Sequence, residues 1–474
     1  MINVKLTGHD YRYEAYQILS LFYLKDEISF VEEGCDMEVC YESDSHIVKC
    51  TLSSEEETIS EQANAESANR KDVKNAIKLS ILKVLERYTG VTMPWGILVG
   101  IRPTKLIHDS AMPEGDTVKH LMDYYSVSKE KADLAVEVAE KEAPFLGNGP
   151  GSVSLYMHIP FCPTRCVYCS FTSNPVAKNE QLIEGYINAL KKETSVSLKE
   201  ALNRGVRFDT FYIGGGTPTA LSASQLDDLL GYVGSIIDLK GLREFTVEAG
   251  RPDSIEEDKL RVLKEHGCTR ISINPQTMND ETLKKIGRKH TSKDIVDKYL
   301  MAREVGFDCI NMDMIIGLPG EGYEEMVHTV KEIVSLSPDN ITVHTMAIKR
   351  ASILNEKKYY DHDKKLMDAY NAVSDEIRSS GMYPYYMYRQ KNMVLPLENI
   401  GYCRDGREGI YNIQMIAESI SILALGADAV TKLVYPKENR IERVGNVKDV
   451  REYVKRIDEM IEKKREAVRL LDLD

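Results

Sequence analysis

Three cysteines, Cys162, Cys166 and Cys169, fall within eight residues of a 474-residue chain. Thiolates this close on one loop cannot all pair with one another, but they can wrap a soft metal centre. In the spacing Cys-x3-Cys-x2-Cys each sulfur can take one iron of a cubane cluster. The fourth iron is then left without a protein ligand and open to a substrate or cofactor. The competing reading is structural zinc with His158 as fourth ligand, and it is the poorer one, because closed tetrahedral sites usually draw their ligands from two separated pairs. Nine cysteines in all, an odd number with one tight cluster, suit a reducing compartment rather than a disulfide framework. Cys35, Cys40, Cys50, Cys268 and Cys309 are expected to be inert core thiols.

The elements that must hold this loop begin at Val153, where short apolar strands start to alternate with amphipathic helices. Strands are expected at Val153–His158, Thr210–Gly214, Glu244–Glu248, Arg270–Asn274, Ile310–Ile316 and Ile341–Met346, each followed by a helical pattern. Capping pairs mark three helix starts: Ser222 with Gln225, Ser254 with Glu257, and Thr291 with Asp294. The fold class is therefore α/β. Six such units predict a partial (β/α)6 barrel with functional residues at the C-terminal strand ends, or else an open doubly wound sheet. Gly214-Gly215-Gly216-Thr217-Pro218-Thr219 follows the second strand, where glycines let the backbone approach a ligand. Glu248 ends the third strand, Gln276 lies just past the fourth, Arg288 follows within Gly287-Arg288-Lys289-His290, and Asp313 lies inside an apolar strand, where a buried carboxylate needs a partner.

Ahead of the repeats, residues 1 to about 90 read as a small α+β unit with a hairpin across Asp36–Leu52. A helix follows at about Asp72–Tyr88, whose Val73, Ile77, Ile81, Val84 and Leu85 form one packing face. The segment Pro94–Leu106 carries the only tryptophan and reads as a docking segment. Helices fit Asp116–Tyr125 and Ser128–Lys141, and Asn148-Gly149-Pro150-Gly151-Ser152 is a linker. Three regions are expected: 1–148 as an N-terminal α+β and helical extension, 149–360 as the partial barrel, and 361–474 as a mostly helical region covering the substrate. The last region includes the run Tyr383-Pro384-Tyr385-Tyr386-Met387-Tyr388-Arg389-Gln390-Lys391-Asn392 and ends in an amphipathic helix near Val447–Leu470. A net charge of −13 argues against nucleic acid as a partner. With no apolar run long enough to span a bilayer and no signal-peptide pattern at Met1–Lys5, a cytoplasmic protein acting on a small molecule is expected.

The loop resembles the cluster-binding motif of the radical S-adenosylmethionine superfamily, and Tyr-x-His-Ile-Pro-Phe-Cys narrows the resemblance to the oxygen-independent coproporphyrinogen III oxidase family. Gly100-Ile101-Arg102-Pro103-Thr104-Lys105-Leu106 and Tyr386–Asn392 look like its Bacillus-type coproporphyrinogen dehydrogenase branch. The resemblance implies that Cys162, Cys166 and Cys169 ligate a [4Fe-4S] cluster whose open iron chelates S-adenosylmethionine. It puts Gly215, Gly216 and Thr217 at the methionine amino group. Tyr156, Glu248 and Val430 match a first S-adenosylmethionine site, and Tyr168, Gln276, Arg288, Asp313 and Ala347 match a second. Phe171 stands where decarboxylating members carry a further cysteine, and in this it is like the family's heme-chaperone branch.

The function so implied is oxidative decarboxylation of coproporphyrinogen III, a tetrapyrrole, with an electron donor and acceptor still to be identified. Tyr156 and His158 are the catalytic candidates. Lys349, Arg350, Arg389 and Lys391 are candidate propionate anchors, and Tyr383, Tyr385, Tyr386 and Tyr388 could line a flat macrocycle. The alternatives are a heme carrier, with His344, Cys403 or His158 as axial ligands, and a radical enzyme acting on another tetrapyrrole.

Overall fold

The computed structural model describes residues 1–100, 102–108, 115–171, 173–347, 352, 365–390, 393 and 396–473. Two units emerge. The first comprises Met1–Ala139 with Tyr388–Lys391 and Pro396–Glu398. Its sheet runs β2-β1-β3-β4-β5, from β1 (Ile2–Thr7), β2 (Ile28–Phe30), β3 (Met37–Glu42), β4 (Ile47–Ser53) and β5 (Thr58–Asn64). β1 is parallel to β2 and β3, and the expected hairpin is β3–β4. The helix Arg70–Thr89 buries Val73, Ile77, Ile81, Val84 and Leu85, as its spacing predicts. Asn69 caps it by accepting from the Asp72 amide at 2.9 Å, and Gly90 ends it in the left-handed conformation, where a side chain would be strained. Cys50, Cys268 and Cys309 are buried as expected, whereas Cys35 and Cys40 are only half-buried because they lie in or next to the thin sheet of this first unit.

Trp95 is fully buried in this unit and donates its indole N–H to Glu398, 303 residues away, at 2.6 Å. The Lys131 ammonium donates to the same carboxylate at 2.8 Å. Arg389 lies over the Trp95 ring at 5.4 Å and donates to the carbonyls of Leu397, Pro396 and Leu98. It is 8% exposed, with its donors taken up by backbone, so it is not available as a propionate anchor. Replacing Glu398 by alanine strips this acceptor from a buried ammonium and an indole together. The expected cost is about 3 kcal/mol, read as a lower denaturation midpoint for the first unit.

The second unit comprises Glu140–Met387, Asn392–Leu395 and Asn399–Asp474. Its strands are β6 (Ser152–Ile159), the two-residue β7 (Phe161–Cys162) and β8 (Asn174–Pro175), β9 (Arg207–Gly215), β10 (Glu244–Gly250), β11 (Arg270–Ile273), β12 (Ile310–Ile316), β13 (Asn340–Thr345), β14 (Tyr383–Tyr388), β15 (Asn399–Cys403), β16 (Ser421–Leu425), β17 (Val430–Tyr435) and β18 (Arg440–Gly445). The main sheet runs β14-β15-β13-β12-β11-β10-β9-β6-β16-β17-β18. Its middle is the six expected strands, all parallel and in chain order. A doubly wound sheet reverses strand order at a switch point. This one does not, as a partial barrel requires.

The C-terminal region departs from the expectation of a mostly helical layer. Helices are present at Lys365–Ser379, Ile410–Ala417, Val450–Lys455 and Ile457–Arg469, but β14 to β18 extend the main sheet at both edges. β15 and β16 are buried along their whole length, so they lack the polar alternation that marks a strand in sequence. The single closing helix is two, divided at Arg456 (φ −106°, ψ 27°). The Ser222–Gln225 and Thr291–Asp294 capping boxes form. Ser254 does not cap: it closes a turn that Pro252 starts, donates to the Arg251 carbonyl at 2.8 Å, and leaves the helix to begin at Glu257.

Alternation along the parallel strands separates two faces. Val153, Leu155, Met157, Phe211, Ile213, Phe245, Val247, Ile271, Ile273, Met312 and Met314 form one face and are buried. Their neighbours on the other face are almost all polar: Ser154, Tyr156, His158, Thr210, Tyr212, Glu248, Ser272, Asn311, Asp313, Thr342 and His344. Parallel sheets ordinarily bury apolar side chains on both faces. Here one face is kept for chemistry.

Candidate functional site

The polar face is built in layers, starting from the helix Ile410–Ala417. Its Gln414 accepts from Ser154 Oγ at 2.8 Å, and Ser154 in turn accepts from Thr210 Oγ1 at 2.8 Å. Above this lies an aromatic layer in which Tyr212 stacks on Tyr411 at 4.5 Å and Tyr156 stacks on both at 6.2 and 6.3 Å. The layer above that holds His158, Gly214 and Glu248, at the C-terminal ends of β6, β9 and β10. Tyr212 Oη donates to Glu248 at 2.5 Å. Burial pushes the Glu248 carboxyl up to about 7; the Asp313 charge adds to this, and the Tyr212 bond only partly opposes it.

The cysteine loop closes over these strand ends. β7 pairs with β8 and brings Cys162 opposite Pro175, while the Asn174 side chain donates to the Pro160 carbonyl at 3.0 Å. On the far side, the Val167 amide donates to the Ile286 carbonyl at 3.1 Å and Thr164 Oγ1 to the Gly287 carbonyl at 3.1 Å. Cys162 and Cys166 are 8% and 7% exposed, and Cys169 is half-buried. Burial pushes the Cys162 and Cys169 thiols up. Arg251 donates to the Thr164 carbonyl at 3.1 Å and reaches Cys166 Sγ at 3.6 Å, held by a two-bond pair to Asp253. Gly216 lies beneath the loop: a Cβ there would fall 2.6 Å from the Phe161 carbonyl oxygen and 2.7 Å from that of Ile159. Gly216→Ala therefore has to move backbone, and reconstituted protein is expected to hold several-fold less iron per chain, measured against sulfide.

The next strand ends complete the site. Asp313 accepts from Asn311 Nδ2 at 2.7 Å and lies 3.6 Å from His344 Nε2. Burial raises its carboxyl, and His344, Asn311 and Thr342 more than offset that, so it rests below the usual range. Gln276 adopts φ +67°, unusual for a residue with a side chain, held by bonds from its amide to the Asp313 carbonyl and from the Ile315 amide to its own. Arg288 donates to the Asn274 carbonyl at 2.5 Å and to Tyr168 Oη at 3.1 Å. Burial works against its charge, and neighbouring Tyr168 and Cys166 outweigh it, holding the guanidinium above its ordinary value. His158 is clamped by Gly215, where a Cβ would meet its ring at 2.5 Å, and burial lowers the imidazole to about 4.

These residues are brought to one end of the sheet. Ala347 bridges to Met393, and Val430, 46% exposed, opens β17 opposite Gly445. Cys403 is not at this end: it pairs with Asn340, the first residue of β13, and is fully buried. Tyr385 meets Arg270, the first residue of β11, and Tyr383 donates to Glu408, so both are spent on packing away from the site. Tyr386 packs closely against Gly401. Lys349, Arg350 and Lys391 lie outside the described residues. Sequence reasoning missed Tyr212, Tyr411 and Arg251. Tyr212 shares the polar parity of Thr210 and Gly214 on β9 and was legible on that ground, whereas Tyr411 and Arg251 follow from tertiary placement alone.

Gln276 Oε1, Asn274 Oδ1, Arg288 Nε and His158 Nε2 are buried without a hydrogen-bond partner. Such atoms are costly to leave unpaired, and a polar ligand at the strand ends would meet them. The three thiols and this polar lining fit an iron–sulfur cluster with an amino-acid-bearing cofactor.

Comparison with known proteins agrees. Residues 156–333 match the radical SAM superfamily. The chain is 37% identical to the oxygen-independent coproporphyrinogen-III oxidase-like protein HemZ of Bacillus subtilis, over 98% of this chain and 97% of that one. It is 32% identical to the B. subtilis heme chaperone HemW over 49% of this chain and 62% of HemW. Its fold is similar to that of the Escherichia coli coproporphyrinogen III oxidase HemN, a radical SAM enzyme, with a TM-score of 0.54 and 23% identity over 68% of this chain and 73% of HemN. On these grounds the chain belongs to the radical SAM superfamily, with its [4Fe-4S] cluster and S-adenosylmethionine, and within it to the family of oxygen-independent coproporphyrinogen-III oxidase-like proteins.

Proposed function

We propose that the protein carries out oxygen-independent oxidative decarboxylation of coproporphyrinogen III in the cytoplasm, converting two propionates to vinyl groups with loss of two CO2, one hydrogen atom of each propionate going to the cofactor-derived radical and its remaining electron to a separate electron acceptor. The observation that carries this reading is the end-to-end similarity to HemZ, which includes the N-terminal unit as well as the site. Cys162, Cys166 and Cys169 hold the cluster. Gly215, Gly216 and Thr217 offer backbone close to the methionine end of the cofactor. Tyr156, Glu248 and Val430 bound a first S-adenosylmethionine, and Tyr168, Gln276, Arg288, Asp313 and Ala347 a second. When bound, the cluster and cofactor supply a one-electron cleavage that yields a hydrogen-abstracting 5′-deoxyadenosyl radical.

The chain's own residues orient and shield that chemistry. Glu248, steadied by Tyr212, accepts from hydroxyl or ammonium groups. Arg288 balances the charge of the thiolate loop from its buried position beside Tyr168. His158 stays neutral near pH 7, so it acts as a shaped wall and a single N–H donor rather than as an imidazolium acid.

The similarity to HemW and the presence of Phe171 favour a second reading, a heme carrier of the same fold. Anaerobic incubation of reconstituted protein with coproporphyrinogen III, S-adenosylmethionine and a reductant separates the two. Protoporphyrinogen IX formation supports the enzyme. Its absence, together with stoichiometric heme binding, supports the carrier.

A further inference from the structure

One cavity of the first unit is lined almost wholly by cations. Its volume is about 490 Å³, and it lies in the groove between the helix Arg12–Leu19 and the start of the helix Arg70–Thr89. Lys71, Lys74 and Lys78 recur at steps of three and four, so they share one face of the longer helix, and Arg70 joins them at its first position. The facing helix supplies Gln17 and a single carboxylate, Glu14, which is buried and paired with Lys74. Among the described residues the side chains of Arg70, Lys71 and Lys78 have no ion pair and no hydrogen bond. The groove therefore holds four cations against one acid, in a chain whose net charge is −13.

Helix physics works against this arrangement. Arg70 and Lys71 lie in the first turn, where the helix dipole disfavours positive charge. Arg70–Lys74 and Lys74–Lys78 are like-charge pairs four residues apart, which destabilise a helix. Asp72, the acid of that turn, accepts instead from Ser67, Asn69 and Tyr124 and lines a separate cavity. Burial pulls the Lys78 ammonium below its ordinary value; Glu14 partly opposes this and Lys74 adds to it. Asn75, 7% exposed, completes the wall of the groove. Its Nδ2 is buried without a hydrogen-bond partner, the Tyr124 oxygen lying near it but outside bonding geometry.

We propose that this groove binds a small-molecule polyanion carrying at least two carboxylate or phosphate groups. Lys71 and Lys78 are two turns apart, roughly 10 Å along the helix, so they hold separate anionic groups of one ligand, with Lys74 and Asn75 between them. The Arg70 guanidinium offers a paired donor at the helix start, where an oxyanion also meets the favourable end of the dipole. The propionates of a tetrapyrrole and the phosphates of a phosphorylated metabolite share this chemistry.

The test is titration calorimetry on the full-length reconstituted protein at low ionic strength, with tripolyphosphate and coproporphyrin III as separate probes. At least one probe is expected to bind at one per chain through the groove. The double variant Lys71→Ala, Lys78→Ala should weaken that binding by about tenfold or more. Gln17→Glu keeps every cation and adds a second carboxylate to the groove, and it should weaken binding likewise. The control Lys284→Ala, Lys463→Ala removes the same charge from the surface of the second unit and should bind as the parent does. Bound probe should raise the melting temperature of the parent and not that of Gln17→Glu. Binding of tripolyphosphate alone identifies a phosphorylated ligand, and binding of coproporphyrin III alone a polycarboxylate. Absence of binding by both probes overturns the site. So does binding that the groove variants leave unchanged, or that the control weakens equally.

Discussion

Replacing Cys166 by alanine is expected to abolish the iron–sulfur centre and with it the cleavage of S-adenosylmethionine. Cys166 is the central thiol of the three and is buried against Arg251 and, through Arg288, against Tyr168. With it gone, Arg251 and Arg288 face each other's charge across a site that has lost a thiolate. Loss of an outer-shell partner alone typically costs about 10- to 100-fold in metal affinity or activity, and loss of a ligand costs more. Iron and sulfide per chain, visible absorbance and the yield of 5′-deoxyadenosine are the measurements. A brown, cleaving Cys166→Ala protein would remove the central assignment.

Glu248→Gln is expected to separate stability from binding. The ordinary carboxyl value is 4.5, and the fold raises Glu248 to about 7 because it is buried near Asp313. Between those two values the folded state holds a proton that the unfolded state has released. Stability from this group is therefore fully present below pH 4.5 and lost as pH rises through 7, and the loss at higher pH is on the order of 3 kcal/mol. Glutamine has no proton to lose. The variant should match the parent at low pH and melt higher than it at pH 8, by calorimetry. Its affinity for S-adenosylmethionine should fall by about 5- to 10-fold, because a charge-assisted bond is replaced by a neutral one weaker by about 1–1.5 kcal/mol. A variant that neither gains heat stability at pH 8 nor loses affinity would show that Glu248 is ionised freely and faces no ligand.

Much of this fold was legible before the structure, and the reasons are specific. The six parallel strands stand out because each buries an apolar alternate set while glycines and capping residues mark its ends. The cysteine loop needs no tertiary information, since its ligands are local in sequence. The edge strands were missed because β15 and β16 are buried throughout and read equally as buried helix. Arg389 was misread because a guanidinium suits a carboxylate by charge and by its paired donors until its carbonyl acceptors, supplied by Leu98 and Pro396–Leu397, are seen. Tyr411 enters the site from a helix whose sequence carries no sign of it.

The position of β6 has a consequence for how the chain is made. β6 opens the parallel series, yet it lies inside the sheet, between β9 and β16, and Ser421–Leu425 pair with Val153–Met157 only after most of the chain has followed. A growing chain that has already formed β6 through β13 therefore presents β6 as a bare edge with the cysteine loop at its end. Its polar face still lacks the helix Ile410–Ala417. Unpaired edges of this kind invite aggregation during synthesis. Slow translation, or truncation ahead of residue 421, is where this protein is most exposed to misassembly.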